Sequence, residues 1–105
     1  MKVYRDSELA TIPEFATEGS ACFDLCACLE EGKTATSYNP HNRKMEMPIK
    51  NVNGTSSLSL QPGFRTLVPT GLIFDIPKGH VLNFFIRSSM ALKNGIMMAN
   101  GVAVI

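Results

Sequence analysis

The chain has 105 residues, of which 45% are hydrophobic and 18% are charged, a composition typical of a globular domain and not of a disordered chain. Ten basic and nine acidic residues leave a formal net charge of +1, which argues against nucleic acid or an anionic membrane as a partner. Neither a secretory signal nor an apolar run of about 20 residues is present, so we expect one soluble, intracellular (cytoplasmic) domain over residues 1–105.

The secondary-structure signals are short, alternating segments separated by glycine and proline, a pattern that predicts an all-β domain. Lys2–Arg5 and Ala21–Leu29 are the first predicted strands, and the polar stretch Glu30–Arg43 is predicted to be a loop. An extended Ala21–Leu29 would place its three cysteines on one face, because side chains alternate along a strand. With no histidine or fourth cysteine at suitable spacing, we expect reduced, partly buried thiols and not a metal site.

Asn53-Gly54 predicts the two-residue turn of a β-hairpin, because both central residues of a type I′ turn have positive φ. The matching register brings apolar side chains together on one face and places a proline on an edge strand. The predicted cross-strand pairs are Ile49 with Leu58, Met47 with Leu60, and Pro48 with Ser59.

Further strands are predicted within Phe64–Ile76 and His80–Ile86, where apolar residues recur at every second position. One short helix is predicted over Ser88–Asn94. Either of its two leading serines can serve as the N-cap, and Gly95 can end it.

Arg87-Ser88-Ser89 stands where the last of these strands gives way to the helix. Backbone N–H groups at a helix start, serine hydroxyls and a guanidinium fork all suit phosphate oxygens as donors. The alternative is an ordinary serine cap beside a surface arginine, which is a common arrangement.

Asp24 and Asn100-Gly101 are two further candidates for a site. A carboxylate in the apolar surroundings of Asp24 needs a partner or solvent. It would either orient the water shell of a magnesium ion or serve as a turn cap or salt-bridge partner. Asn100-Gly101 predicts a second tight turn, between Met98-Ala99 and Val102–Ile105. The open backbone of such a hairpin can pair with the edge of a base, or the turn can simply connect two strands.

Four blocks of the chain, taken in order, resemble the trimeric deoxyuridine triphosphatases (dUTPases). The blocks are ATEGSACFDL (Ala16–Leu25), PGFRTLVPTGL (Pro62–Leu72), RSSMALKNGI (Arg87–Ile96) and NGVAVI (Asn100–Ile105). Cys22 stands where the family pattern has a glycine, and Ser89 replaces another glycine. Residues 30–60 fall outside the pattern and look like an insertion that carries the predicted hairpin.

The resemblance implies the family's β-clip fold, a distorted jelly-roll-like barrel, assembled as a homotrimer. It implies hydrolysis of dUTP to dUMP and pyrophosphate with Mg²⁺, and it assigns Asp24 to the hydrated metal ion. The implied substrate-binding residues are Arg87, Ser88 and Ser89 in the phosphate turn, Asn100 on the uracil side, and Val104 and Ile105 beneath the base and sugar.

The same resemblance places the general-base aspartate immediately after Ile105, so we expect no catalytic base within these residues. A general base typically contributes about 10²- to 10⁴-fold in rate, so we expect a truncated chain that is inactive or weak. Two alternatives stay open. One is a dCTP deaminase-like enzyme, which shares the fold and the phosphate turn, although Lys93 favours the phosphatase. The other is a non-catalytic nucleotide-binding or interaction module.

Overall fold

The computed structural model describes residues 1–105 and contains nine β-strands and one α-helix. The strands are β1 (Lys2–Arg5), β2 (Thr34–Tyr38), β3 (Lys44–Pro48), β4 (Lys50–Val52), β5 (Thr55–Ser57), β6 (Arg65–Thr66), β7 (Leu72–Asp75), β8 (Asn83–Phe84) and β9 (Ala103–Val104), and the helix α1 is Ser88–Asn94. The all-β class with one short helix is thus confirmed. The strands form four sheets of two or three strands and do not close into a barrel. No helix is long and apolar enough to cross a membrane.

The chain divides into two compact units. The larger unit is Val3–Phe74, and the smaller unit consists of Met1–Lys2 and Asp75–Ile105. Strand β1 pairs with β7, the larger unit contains the β3-β2-β6 sheet and the β4-β5 hairpin, and the smaller unit contains the β8-β9 pair.

The three-stranded sheet of the larger unit contributes two of its five buried residues. Ala35 and Ser37 alternate with exposed or half-exposed threonines along β2 and are only 2% and 0% exposed. The loop predicted over Glu30–Arg43 is therefore wrong at β2. A polar composition hid this strand, because burial of a small alanine and a serine follows from pairing with β3 and β6 and not from hydrophobicity.

Ser37 is the most buried side chain, and its hydroxyl is fully bonded. The Oγ atom donates to the carbonyl oxygen of Arg65 at 3.1 Å and lies 3.0 Å from Thr66 Oγ1. Because a valine would leave both partners without their bond, we expect Ser37→Val to lower the free energy of unfolding by about 1–3 kcal/mol. Urea titration will measure this. The matched control is Ser57→Val, whose exposed hydroxyl bonds only to Thr55 of its own strand. An equal loss in the two variants would contradict this role for Ser37.

The turn predicted at Asn53-Gly54 is confirmed, with φ of 52° and 85° at its two residues, as a type I′ turn requires. The pairs Lys50 with Ser57 and Val52 with Thr55 follow the predicted register. The extension of this hairpin through Met47 is wrong, because β3 pairs with β2.

The observed partners of β3 differ from the predicted ones at both positions. Met47 lies opposite Ala35, and Pro48 lies opposite Thr34. The expectation that Pro48 stands on an edge strand is confirmed, since β3 is outermost in its sheet. Ile49, predicted to face Leu58, is buried, and its N–H donates to the carbonyl oxygen of Lys33 at 2.9 Å.

The strand predicted at Ala21–Leu29 is wrong, since only an isolated bridge between Glu14 and Asp24 forms there. Phe23 instead anchors this irregular segment, with ring centroids 6.0 Å from Phe15 and 6.3 Å from Phe74. Aromatic packing thus replaces a strand ladder. The shared cysteine face is lost with the strand. All three cysteines are free thiols, with Cys28 buried and the other two exposed.

The smaller unit carries α1 between β8 and β9. The expected end at Gly95 is confirmed, because Gly95 has φ of 66° and closes the helix with bonds from its own N–H and from that of Ile96. The predicted serine cap is wrong. The N-cap residue is Arg87, and no side chain forms a capping hydrogen bond.

Candidate functional site

The segment Arg87-Ser88-Ser89 presents exposed donors at the start of α1. Arg87 is extended, with φ of −68° and ψ of 143°, and the first helical bond runs from the Ala91 N–H to its carbonyl oxygen at 3.1 Å. The preceding N–H groups of such a turn have no acceptor within the helix. Since neither serine hydroxyl caps the helix, the turn offers hydroxyl and amide donors to one anionic group.

The turn before β9 differs from its prediction. Asn100 has a negative φ, and Gly101, at φ 75°, donates its N–H to the carbonyl oxygen of Met98 at 3.0 Å. The turn therefore spans Met98–Gly101 and is not a type I′ turn centred on Asn100-Gly101. The predicted pairing of Val102–Ile105 with Met98-Ala99 is also wrong, because β9 pairs with β8.

The β8-β9 ladder brings the two candidate turns to one end of the same small sheet. Phe84 lies opposite Ala103, and Leu82 and Ile105 exchange backbone hydrogen bonds of 3.0 and 2.9 Å. In an antiparallel pair, the chain leaving one strand and the chain entering the other lie at the same end. Arg87, three residues after β8, and Asn100, three residues before β9, are thereby placed at that end.

Asp24 lies in the larger unit, in a half-buried position, where its N–H donates to the carbonyl oxygen of Glu14 at 3.4 Å. No group of three or more histidine, cysteine or carboxylate side chains converges anywhere in the chain. Asp24 is therefore a lone carboxylate and not a member of such a group. A single carboxylate fits only the hydrated form of the ion, with phosphate oxygens as the remaining ligands.

Comparison with known proteins adds a direct line of evidence. Over 89 residues, the chain is 38% identical to the deoxyuridine 5'-triphosphate nucleotidohydrolase of Bartonella bacilliformis, covering 85% of this chain and 37% of that protein. Over 96 residues, it is 35% identical to the protein of the same name from Chlamydia caviae, covering 91% of this chain and 48% of the other. The chain belongs to the dUTPase family. No protein-family model and no solved structure matches it.

The dUTPase relatives are much longer than the matched region. A third relative of the same name, from Rhizobium rhizogenes, is 36% identical over 89 residues, which make up 42% of its length. The chain thus spans less than half the length of the curated dUTPases it matches.

The chain also contains a cavity of about 170 Å³ that the sequence did not predict, within the larger unit. Cys28, Lys33 and Gly71 are among its lining residues. At its wall the Ser7 hydroxyl donates to the carboxylate of Glu30, and the Lys33 ammonium lies 2.6 Å from the same carboxylate. Hydrogen bonds to its carboxylate lower the pKa of Glu30, with the larger effect from Lys33 and the smaller from Ser7. The hydrogen bond to Glu30 in turn raises the pKa of Lys33. The lining comes from segments distant in sequence, so no local motif could indicate it.

Proposed function

We propose that this protein hydrolyses dUTP to dUMP and pyrophosphate. The observation that carries the proposal is the placement of two motif turns, Arg87–Ser89 and the turn at Asn100, at one end of the β8-β9 ladder. The names of the relatives in several bacteria describe the same substrate and bond cleavage.

The phosphate side of the site is assigned to the turn at Arg87. Its guanidinium fork is permanently charged and matches phosphate oxygens in pairs, while the hydroxyls of Ser88 and Ser89 add donors. Such donors, fixed before the reaction, stabilise charge that develops on phosphate oxygens in the transition state. Magnesium, when bound, neutralises phosphate charge, and Asp24 would hold it through its water shell.

The uracil side is assigned to the segment from Asn100 to Ile105. Backbone N–H and C=O groups of the turn can pair with the polar edge of a pyrimidine as a neighbouring strand would. Val104 and Ile105 are both more than half exposed, so their side chains offer apolar surface to the base and sugar.

The apolar surface of the smaller unit supports the further proposal of a homotrimer. Large exposed side chains are unusually frequent in this short segment. Those more than half exposed are Met1, Val81, Phe85, Leu92, Met97, Val104 and Ile105. Association of copies would remove them from water.

No residue in the chain is proposed as the general base. Binding and turnover are therefore expected to separate in a polypeptide of these 105 residues. We expect Mg²⁺-dependent binding of dUTP, with hydrolysis slower by about 10²- to 10⁴-fold than in an enzyme with its base.

The test combines titration calorimetry with dUTP, dCTP and dTTP, with and without Mg²⁺, and an assay of pyrophosphate release. A clear preference for dUTP that is lost with EDTA supports the proposal. Equal heats for the three nucleotides would contradict it. Ammonia release from dCTP without pyrophosphate from dUTP would instead establish a deaminase.

A further inference from the structure

The outer face of the β3-β2-β6 sheet is cationic and exposed. We call the basic face the set Tyr38, Lys44, Arg65 and Leu67, all of which are exposed. The opposite face of the same sheet carries the buried Ala35 and Ser37. The basic face therefore has no part in the core of the larger unit.

Strand register aligns three of these side chains in one row. Tyr38 lies opposite Lys44 on β3 and opposite Arg65 on β6. Directly opposed residues share a face, and adjacent strands are about 4.7–4.9 Å apart. The Arg65 guanidinium lies 5.5 Å from the centre of the Tyr38 ring and donates through Nη2 to Asn42 Oδ1 at 2.7 Å. This guanidinium is therefore held in place before any partner arrives.

The cations of the basic face lack carboxylate partners. Neither Lys44 nor Arg65 forms a salt bridge with a carboxylate, and residues 34–45 and 61–66 contain no aspartate or glutamate. Glu46 lies on the same face, but its carboxylate accepts hydrogen bonds from the hydroxyls of Thr34 and Thr36 at 3.0 and 3.2 Å. The two cations Lys44 and Arg65 and the one carboxylate of Glu46 leave this face with one net positive charge.

Two kinds of occupant fit this surface poorly. Single-stranded nucleic acid uses open aromatic faces and a continuous basic track, whereas here Arg65 lies over the Tyr38 ring and the Glu46 carboxylate lies on the same face, two residues along β3 from Lys44. Strand addition at the edge of β3 needs free N–H groups. The backbone N–H groups of Ile49 and of every second residue before it point toward β2. The residues between them point their N–H groups outward, but Pro48 is one of these and has no N–H. Only two outward donors therefore remain on β3.

We propose that the basic face binds an acidic polypeptide segment with interspersed apolar side chains. Carboxylates of that segment pair with the ammonium group of Lys44 and with the guanidinium of Arg65. The planar guanidinium can donate two parallel hydrogen bonds to one carboxylate. Leu67, 75% exposed next to the row, provides contact for an apolar side chain.

The probe is a dye-labelled twelve-residue peptide that repeats glutamate, leucine, aspartate and serine, followed by fluorescence anisotropy on the 105-residue chain. We expect saturable binding that weakens at least about fivefold between about 20 and 200 mM salt, because the Debye length falls from about 20 to 7 Å. The double variant Lys44→Gln/Arg65→Gln should bind about tenfold more weakly. The control Lys2→Gln/Lys78→Gln removes the same charge outside the sheet and should stay within about twofold of the parent chain.

Several outcomes would overturn the proposal. These are no saturable binding at low salt, equal losses in the two double variants, or equal binding of a peptide with glutamine and asparagine in place of the acids. If a twelve-nucleotide oligo-dT binds equally or more tightly, the face is a general polyanion-binding surface and not a peptide site. If the chain self-associates and the double variant abolishes this, the occupant is a second copy of this chain. If the circular dichroism spectrum shows that the double variant is unfolded, the single variant Lys44→Gln tests the proposal instead. Its side chain is exposed and unbonded, and we expect about threefold weaker binding.

Discussion

Replacing Gly71 by alanine is expected to lower the free energy of unfolding by about 2–5 kcal/mol. An alanine Cβ would lie 2.9 Å from the Cβ of Ala10 and 3.0 Å from the Sγ of Cys28, and both of these residues are buried. Neither neighbour has a flexible end that could move away. The backbone adds its own cost, because Gly71 has φ of 66° and L-residues disfavour that region.

Gly19→Ala separates the two contributions to this loss. Gly19 has φ of 80°, yet nothing lies within 4 Å of a Cβ built there. This variant should therefore show only the backbone cost, about 1–2 kcal/mol. Urea titrations of both variants measure the difference, and a Gly71→Ala chain no less stable than Gly19→Ala would refute the tight contact with Ala10 and Cys28.

Arg87→Ala is expected to weaken triphosphate binding by about 1.5–3 kcal/mol, or about 10- to 150-fold, because a charge-assisted hydrogen bond is lost from the phosphate turn. Arg87→Lys should give an intermediate loss, since it keeps the charge but not the planar fork. Arg5→Ala, which removes an exposed arginine from β1, is the matched control.

Titration calorimetry with dUTP and Mg²⁺ measures these affinities. The pattern expected is a large loss for alanine at position 87, a smaller loss for lysine, and no more than about twofold for Arg5→Ala, the scale of screened surface charge. Unchanged affinity in Arg87→Ala would remove this residue from the proposed site while leaving the fold description intact.

Local chemistry in the sequence predicted the turns better than the strands. Few residue types tolerate positive φ, so an asparagine-glycine pair or a lone glycine indicates where the chain adopts it. Asn53 and Gly54 form such a turn, and Gly95 ends the helix in the same conformation. These signals are complete within two residues, so they need no knowledge of distant neighbours.

Strand assignments failed where the partner decided the outcome. The apolar segment around Phe23 has the composition of a strand, but the Phe23 ring packs on Phe15 and Phe74, and the segment forms a single isolated bridge and no strand ladder. Conversely, Ala35 and Ser37 are buried because their strand, β2, is the central strand between β3 and β6.

For the candidate site, the motif blocks identified which residues to examine but not their arrangement. The turn near Asn100 was placed too late in the chain, and β9 pairs with β8, which is distant in sequence, and not with the residues just before the turn. The cavity beside Lys33 and the row of Lys44, Tyr38 and Arg65 depend on strand pairing. They could only be recognised once the register was known.

The β8-β9 ladder is only two residue pairs long, with one flanking pair of hydrogen bonds between Leu82 and Ile105. Elements this short exchange their amide protons through frequent local opening and not through global unfolding. Each such opening would separate the turn at Arg87 from the turn at Asn100. A nucleotide held by both turns would therefore slow proton exchange at the amides of Leu82 and Ile105, which makes this pair a built-in reporter of occupancy.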